Sequence, residues 1–217
     1  MSLRAPGPSV VLMSADDHYF TAAPASAAQQ RPMAVELAGR TVTVQTASGI
    51  FSPDGVDKGT AVLLREAPAP PATGALLDLG CGWGPIALTL ALRSPGAAVW
   101  GVDVNERSLD LLRTNAASLG LESVRACRPE DVPDDLELAA IWSNPPIRVG
   151  KAVLHSMLLA WLPRLVVGGA AYLVVQKNLG ADSLQRWLAE QLPADAYAVS
   201  RYASDKGFRV LEVRRLA

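Results

Sequence analysis

The sequence predicts an α/β protein built on a parallel sheet with helices on both faces. Three observations carry that prediction. Short, almost continuously apolar runs alternate with longer amphipathic ones between residues 75 and 191, the signature of βαβ units. The short runs show little polar alternation, as expected of strands covered on both sides. The first of them runs into a glycine-rich turn followed by proline, Leu77-Asp78-Leu79-Gly80-Cys81-Gly82-Trp83-Gly84-Pro85. Open α/β sheets bind ligands at such junctions, beyond the carboxyl ends of their strands.

Taken in order, residues 1–32 are rich in Ala, Pro, Ser and Gln and lack periodicity. They read as a loosely ordered arm with one aromatic island, Asp17-His18-Tyr19-Phe20, suited to docking. Residues 33–71 form an N-terminal extension. Val42-Thr43-Val44-Gln45-Thr46 is β-branched, Ser48-Gly49 is a turn and Ile50-Phe51 follows, which predicts a small hairpin. Residues 57–66 have helical spacing and stop at the linker Ala67-Pro68-Ala69-Pro70-Pro71, which cannot continue a helix. Residues 72–217 make up the main domain. Strands are expected at 75–79, 98–102, 124–127, 138–142 and 170–175, and helices at 85–93, 107–119, 151–165 and 181–191. The tail, 197–201 and 207–213, reads as two strands joined at Ser204-Asp205-Lys206.

Composition narrows the function. Of 217 residues, 50% are hydrophobic and 19% charged, a globular balance. A formal net charge of −1 excludes a protein that holds nucleic acid by bulk charge, but not one with a local basic patch. Only 4 of the 20 basic residues are lysine. Cys81 and Cys127 have no metal-ligand spacing, so no metal is expected, and a reducing compartment is. The early run Val10-Val11-Leu12-Met13 is too short for a signal sequence and no stretch approaches a membrane span. A soluble, cytoplasmic protein is expected, with no membrane partner. Trp83, Trp100, Trp142, Trp161 and Trp187 fall on core patterns, and His18 and His155 stand isolated as structural residues.

The chemistry lies in three segments. Glycines in the turn after Leu79 let backbone approach a ligand closely, and their Gly-x-Gly-x-Gly spacing is one residue shorter than the dinucleotide fingerprint. Asp78, inside the strand end, would order the loop or a ligand. Asp103 ends the next strand, 19 residues after Gly84, where a carboxylate can accept from both hydroxyls of an adenosine ribose. Capping of the following helix is its structural alternative, although Asn105 and Ser108 can serve there. After the fourth strand, Ser143-Asn144-Pro145-Pro146-Ile147 sets a rigid turn. Its prolines leave the Pro145 and Pro146 carbonyls without competing local donors. The Asn144 carboxamide oxygen and a proline carbonyl can then accept both hydrogens of an exocyclic amine, favouring the pyramidal nitrogen that attacks a methyl carbon.

With Asp78-Leu79-Gly80-Cys81-Gly82, Asp103 and Asn144-Pro145-Pro146, the chain resembles class I S-adenosylmethionine-dependent methyltransferases. More narrowly it resembles their small-domain group, named for ribosomal RNA guanine-N2 enzymes, through Gly49-Ile50-Phe51-Ser52, Val56-Asp57-Lys58-Gly59-Thr60, Asn144-Pro145-Pro146-Ile147-Arg148-Val149-Gly150-Lys151 and Gly207-Phe208-Arg209-Val210-Leu211. The resemblance implies a Rossmann-like, seven-stranded, mostly parallel sheet with its last strand antiparallel, preceded by a small β/α extension. It implies S-adenosylmethionine as cofactor, with Asp78, Gly80 and Gly82 along the methionine moiety, Asp103 at the ribose, and Cys81 and Val104 among the cofactor-binding residues. Asn144, Pro145 and Pro146 would cradle the target amine. Lys58 and Thr60 would close over the methionine end or the substrate entrance. The acid for the adenine amine is displaced to Glu130 or Asp131. Ile147 stands where adenine-N6 and glutamine-N5 enzymes carry a stacking aromatic ring, which fits the guanine-N2 group better.

The expected function is methyl transfer to an exocyclic amine, guanine N2 in ribosomal RNA, with RNA or a ribosomal subunit as partner and the protein a monomer or weak homodimer. Arg148 and Lys151 would hold flanking phosphates, with Ile147 beside the base. Residues 197–217 add five basic residues against Asp205 and Glu212. The competing readings are methyl transfer to a small molecule or protein side chain, a dinucleotide-dependent oxidoreductase, and a non-catalytic RNA-binding module.

Overall fold

The computed structural model describes residues 30–217, so the aromatic island of the expected arm lies outside the described residues. The chain opens with a two-stranded antiparallel hairpin, β1 (Arg31–Leu37) and β2 (Arg40–Thr46), turning at Ala38-Gly39. Both turn residues have positive φ, 50° and 73°, the two-residue geometry whose twist matches antiparallel strands. This corrects the expected pairing: β2 pairs upstream rather than with Ile50-Phe51, and β1 begins inside the segment read as arm. Pro32 is compatible with a strand here because a two-stranded ribbon consists only of edges.

Helix α1 (Lys58–Glu66) is capped by Asp57, whose side chain accepts from the Gly59 and Thr60 amides. The main domain then alternates β3 (Thr73–Leu79), α2 (Pro85–Arg93), β4 (Gly96–Val102), α3 (Glu106–Ser118), β5 (Val124–Cys127), β6 (Leu138–Ser143), α4 (Lys151–Trp161), β7 (Leu165–Gln176), α5 (Ala181–Gln191), β8 (Tyr197–Asp205) and β9 (Phe208–Arg215). The seven-stranded sheet has the order β5-β4-β3-β6-β7-β9-β8, parallel except for β9, which is antiparallel to β7 and β8. The expected Rossmann-like architecture is therefore the observed one.

Two departures have local causes. α4 stops at Trp161 rather than 165 and continues as a 3-10 turn, Leu162–Arg164, because Pro163 has no N–H to donate. β7 starts at Leu165 rather than 170: Gly168-Gly169 reads as a break in sequence but sits at an irregularity where the register against β6 shifts. A side chain at Gly169 would meet the Val166 and Ala139 carbonyls at 2.9 and 3.0 Å, so only glycine fits that bulge.

Side-chain alternation divides the core in two. Leu76, Val99, Ala140, Trp142 and Val174 face the hairpin, α1, α2 and α3, whereas Leu77, Val102, Ile141, Leu173 and Leu211 face α4 and α5. Asn115 of α3, fully buried, ties the hairpin down: it accepts from the Gln45 amide (2.6 Å) and donates to the Gln45 and Trp83 carbonyls (3.0 Å each). Leu112 fills the space left by two glycines, since a Cβ at Gly84 or Gly101 would stand 2.3 or 2.2 Å from its methyls. Trp187 is only half-buried and stacks on His155, with ring centroids 3.5 Å apart. Among the described residues no helix is long and apolar enough to cross a membrane.

Candidate active site

From β3 the chain winds outward to β4 and β5, then returns to place β6 on the other side of β3. The carboxyl ends of β3 and β6 thus flank the switch point where such sheets form a crevice. Asp78 registers with Trp142, and the Ser143 hydroxyl donates to the Leu79 carbonyl at 2.6 Å. The glycine loop and the Asn-Pro-Pro turn therefore leave the sheet side by side.

The loop is held from behind. The Gly80 and Cys81 amides donate to the Val102 carbonyl (2.8 and 3.0 Å). Asp103 accepts from the Gly82 amide with Oδ2 and from the Asn105 amide with Oδ1, both at 2.9 Å. Asn105, not Asp103, caps α3. Gly80 and Gly82 have φ of +80° and +53°, and no atom lies within 4 Å of where a Cβ would stand. Gly80 is exposed and gives a ligand access to backbone, while Gly82 is buried beneath it with room beside its Cα. Burial pushes the Asp103 carboxyl up, against the lowering effect of its amide bonds.

Asp78 is completely buried. Its Oδ2 accepts from the Ala87 amide in the first turn of α2 (2.9 Å), while Oδ1 has no partner among the described residues. Burial, reinforced by Asp103, pushes this carboxyl up to about 8. A buried oxygen left open is costly, and a cationic or hydroxyl-bearing ligand would complete it. The Cys81 thiol is buried and pushed well above the usual thiol range, so it packs rather than reacts.

A shallow hollow opens beside the loop, walled by Gly80 to Trp83, Pro85 and Ile86, by Phe51, Ser52, Asp57 and Thr60 of the extension, and by Asn144. The Asn144 amide nitrogen donates to Asp57 Oδ2 (2.8 Å) and to Thr60 Oγ1 (3.1 Å). A carboxylate can only accept, so Asp57 fixes which end of the amide is nitrogen. Asn144 Oδ1 is thereby left as the free acceptor among the described residues. The prolines behave less uniformly than expected: the Pro146 carbonyl accepts from the Val149 amide at 3.3 Å as a 3-10 turn begins. The Pro145 carbonyl is the acceptor that remains.

Residues 41–212 match the family model of the methyltransferase small domain. The chain belongs to that family. This small-domain methyltransferase is 30% identical over 203 residues to YbxB of Bacillus subtilis, an uncharacterized protein, across 92% of this chain and 99% of that one. It is 36% identical over 125 residues to ribosomal RNA small subunit methyltransferase C of Aeromonas hydrophila, across 57% of this chain and 35% of the enzyme. The structure of RsmC, the T. thermophilus 16S rRNA N2 G1207 methyltransferase in complex with AdoMet and guanosine, matches at a TM-score of 0.70 and 25% identity, over 86% of this chain and 50% of that one. The chain thus spans half or less of these two ribosomal RNA enzymes and nearly all of YbxB.

S-adenosylmethionine is the cofactor of this methyltransferase family, and the residues present fit it: an open buried carboxylate oxygen at Asp78, bare loop backbone at Gly80 and Gly82, and Asp103 at the end of β4. Of the residues singled out from sequence, Thr60, Gly80, Cys81, Gly82 and Asn144 line the hollow, with Asp78 and Asp103 behind it. Val104, Glu130 and Asp131 are exposed beyond its wall, near the ends of β4 and β5. Lys58, Arg148 and Lys151 are exposed outside it, and Ile147 packs against the α4 core. Sequence reasoning assigned no role to Asp57, Phe51, Ser52 and Ile86. The Val-Asp-Lys-Gly-Thr segment was the available signal for Asp57.

Proposed function

We propose that this protein transfers a methyl group from S-adenosylmethionine to an exocyclic amine, guanine N2 of ribosomal RNA. The observation that carries the reading is the fixed Asn144 amide: with its nitrogen tied to Asp57 and Thr60, Oδ1 is presented beside the glycine loop. Oδ1 and the Pro145 carbonyl accept the two amine hydrogens and hold the nitrogen lone pair toward the methyl donor. The bound cofactor supplies an electrophilic methyl group, and the chain's contribution is positioning. Orientation of this kind can supply about 7–11 kcal/mol of a barrier.

Asp78 meets the cationic end of the cofactor and Asp103 its ribose. For the adenine amine, Asp131 is the better candidate. Glu130 bonds Arg128 at 2.6 Å, whereas the Asp131 charge is felt at the Cys127 thiol, at the end of β5. The residue after Pro146 is Ile147, which has no ring to stack on a target, in keeping with guanine N2 rather than adenine N6. A guanine amine is reached only in a single-stranded or flipped-out nucleotide.

Incubation with methyl-labelled cofactor and separate RNA, protein and small-molecule fractions tests the reading. Label in ribosomal RNA, recovered as N2-methylguanosine and missing at one site in cells lacking the protein, is expected. Label confined to protein or metabolite overturns it.

A further inference from the structure

We propose that the part of the sheet's carboxyl edge beyond β6 is a track for the RNA backbone, marked by the chain's four lysines. This rests on the reading of the protein as an RNA methyltransferase and names the face along which the strand lies.

All four lysines sit on one edge. Lys58 opens α1 and Lys151 opens α4. Lys177 follows the carboxyl end of β7, and Lys206 lies in the turn after β8, which runs parallel to β7. Contacts join three of them into one surface. The Lys177 amide donates to the Gly207 carbonyl at 2.8 Å, beside Lys206. Gly59, next to Lys58, lies so close to the Phe208 ring that a Cβ there would stand 3.0 Å away. Asn144 joins the patch to the site through Asp57, the neighbour of Lys58.

The charge on this face is not cancelled locally. All four lysines are exposed, as is Arg148, and among the described residues none of the five has an acid within ion-pair distance. The nearby acids are already engaged: Asp57 holds two backbone amides and Asn144, Asp205 shares Arg65 with Glu66, and Asp182 pairs with Arg209. Beyond β3 the balance is reversed. Arg107 donates to the Ser48 carbonyl (2.8 Å), Arg113 pairs with Glu106 and Asp110, Arg128 pairs with Glu130, and Asp131 stands exposed. A net charge near zero thus resolves into a cationic target half and a neutral-to-acidic cofactor half. Ammonium groups are point charges suited to phosphates, and they read no base. The track therefore supplies affinity and direction, while base choice stays with the Asn144 pocket.

The test compares two variants with the same change of charge, K151Q/K177Q/K206Q and R40Q/R93Q/R186Q, the latter exposed and away from this edge. Binding of a single-stranded RNA oligonucleotide is followed against salt, alongside RNA KM in methyl transfer and S-adenosylhomocysteine binding by calorimetry. Each lost phosphate contact on a single strand lowers the salt slope by about 0.7. The lysine variant is expected to lose about 2 from the slope and, at about 0.1 M salt, roughly a hundredfold in affinity, with RNA KM rising and S-adenosylhomocysteine binding unchanged. The arginine variant is expected to match wild type. Unchanged affinity and slope in the lysine variant, or equal losses in both, overturn the track. A wild-type protein that methylates no RNA overturns the functional reading first, before any variant is compared.

Discussion

Replacing Asp57 with asparagine probes the reacting geometry at a single atom. Asp57 Oδ2 receives three donors: the Gly59 amide (2.7 Å), the Thr60 amide (3.2 Å) and the Asn144 side chain (2.8 Å). Asparagine caps a helix about as well as aspartate, so D57N preserves α1 while removing the charge that orients Asn144. A hydrogen bond to a charged partner contributes roughly 1.5–3 kcal/mol. The amide oxygen that takes its place can still accept from Asn144, so only the charged part of the bond is lost, about 1–1.5 kcal/mol. Single-turnover methyl transfer then falls about 5- to 13-fold, since 1.36 kcal/mol is tenfold. Cofactor affinity and the unfolding midpoint stay near wild type. D57A, which leaves Asn144 no acceptor at this position, should lose about 10- to 150-fold, and also about 1 kcal/mol of stability through the missing cap. Because Asp57 acts through Asn144, D57N should cost nothing further in an N144A background. A turnover within twofold of wild type in D57N, or a full additional loss on top of N144A, refutes the positioning role.

Asp103→Ala should weaken S-adenosylhomocysteine binding by about 10- to 150-fold, the value of charged hydrogen bonds at the ribose, and an unchanged calorimetric dissociation constant removes Asp103 from that place. Asp78 has a native carboxyl near 8 against an ordinary value of 3.8, so between those limits the folded state binds the extra proton and stability falls as pH rises, by up to about 1.4 kcal/mol per pH unit. Urea unfolding from pH 5 to 8 should show that decline, and Asp78→Asn, which still accepts from Ala87, should flatten it; an identical slope in both proteins rejects the buried-proton account. Asn115→Ala leaves the Gln45 backbone and the Trp83 carbonyl without their side-chain partner, at a cost of about 3 kcal/mol. Hydrogen exchange should rise in β1 and β2 before it rises in the main sheet, and uniform exchange would deny Asn115 its tethering role.

The glycine-loop side of the candidate site was legible because it is local. One strand, its glycine loop and the acid ending the next strand lie within 26 residues, Asp78 to Asp103, and the parallel topology does the rest. The Asn144 side is not local: Asp57 and Asn144 are 87 positions apart, and no periodicity links a helix cap to a turn after a distant strand. The hairpin was misread for a related reason. Ala38-Gly39 gives a tight turn only if a strand precedes it, and Arg31-Pro32-Met33 carries little β signal beside an Ala- and Pro-rich stretch. Gly168-Gly169 punctuates sequence but not structure, because a bulge needs the small residues that a break would also use. Pro163 did mark the end of α4, but the apolar spacing runs on beyond it.

The Leu112 side chain couples two positions that appear independent. Gly84 closes the loop and Gly101 lies in β4, yet one leucine from α3 occupies the room that both leave empty. Any relative that trades either glycine for a larger residue must shorten position 112 in the same step or move the helix. Conversely, truncating Leu112 would open a void under the loop and relieve Gly101, whereas Gly84, with a φ of +100°, is held to glycine by its own backbone. Positions 101 and 112 should therefore drift as a pair while position 84 stays fixed, so the outline of the glycine loop is inherited partly through a helix that backs it.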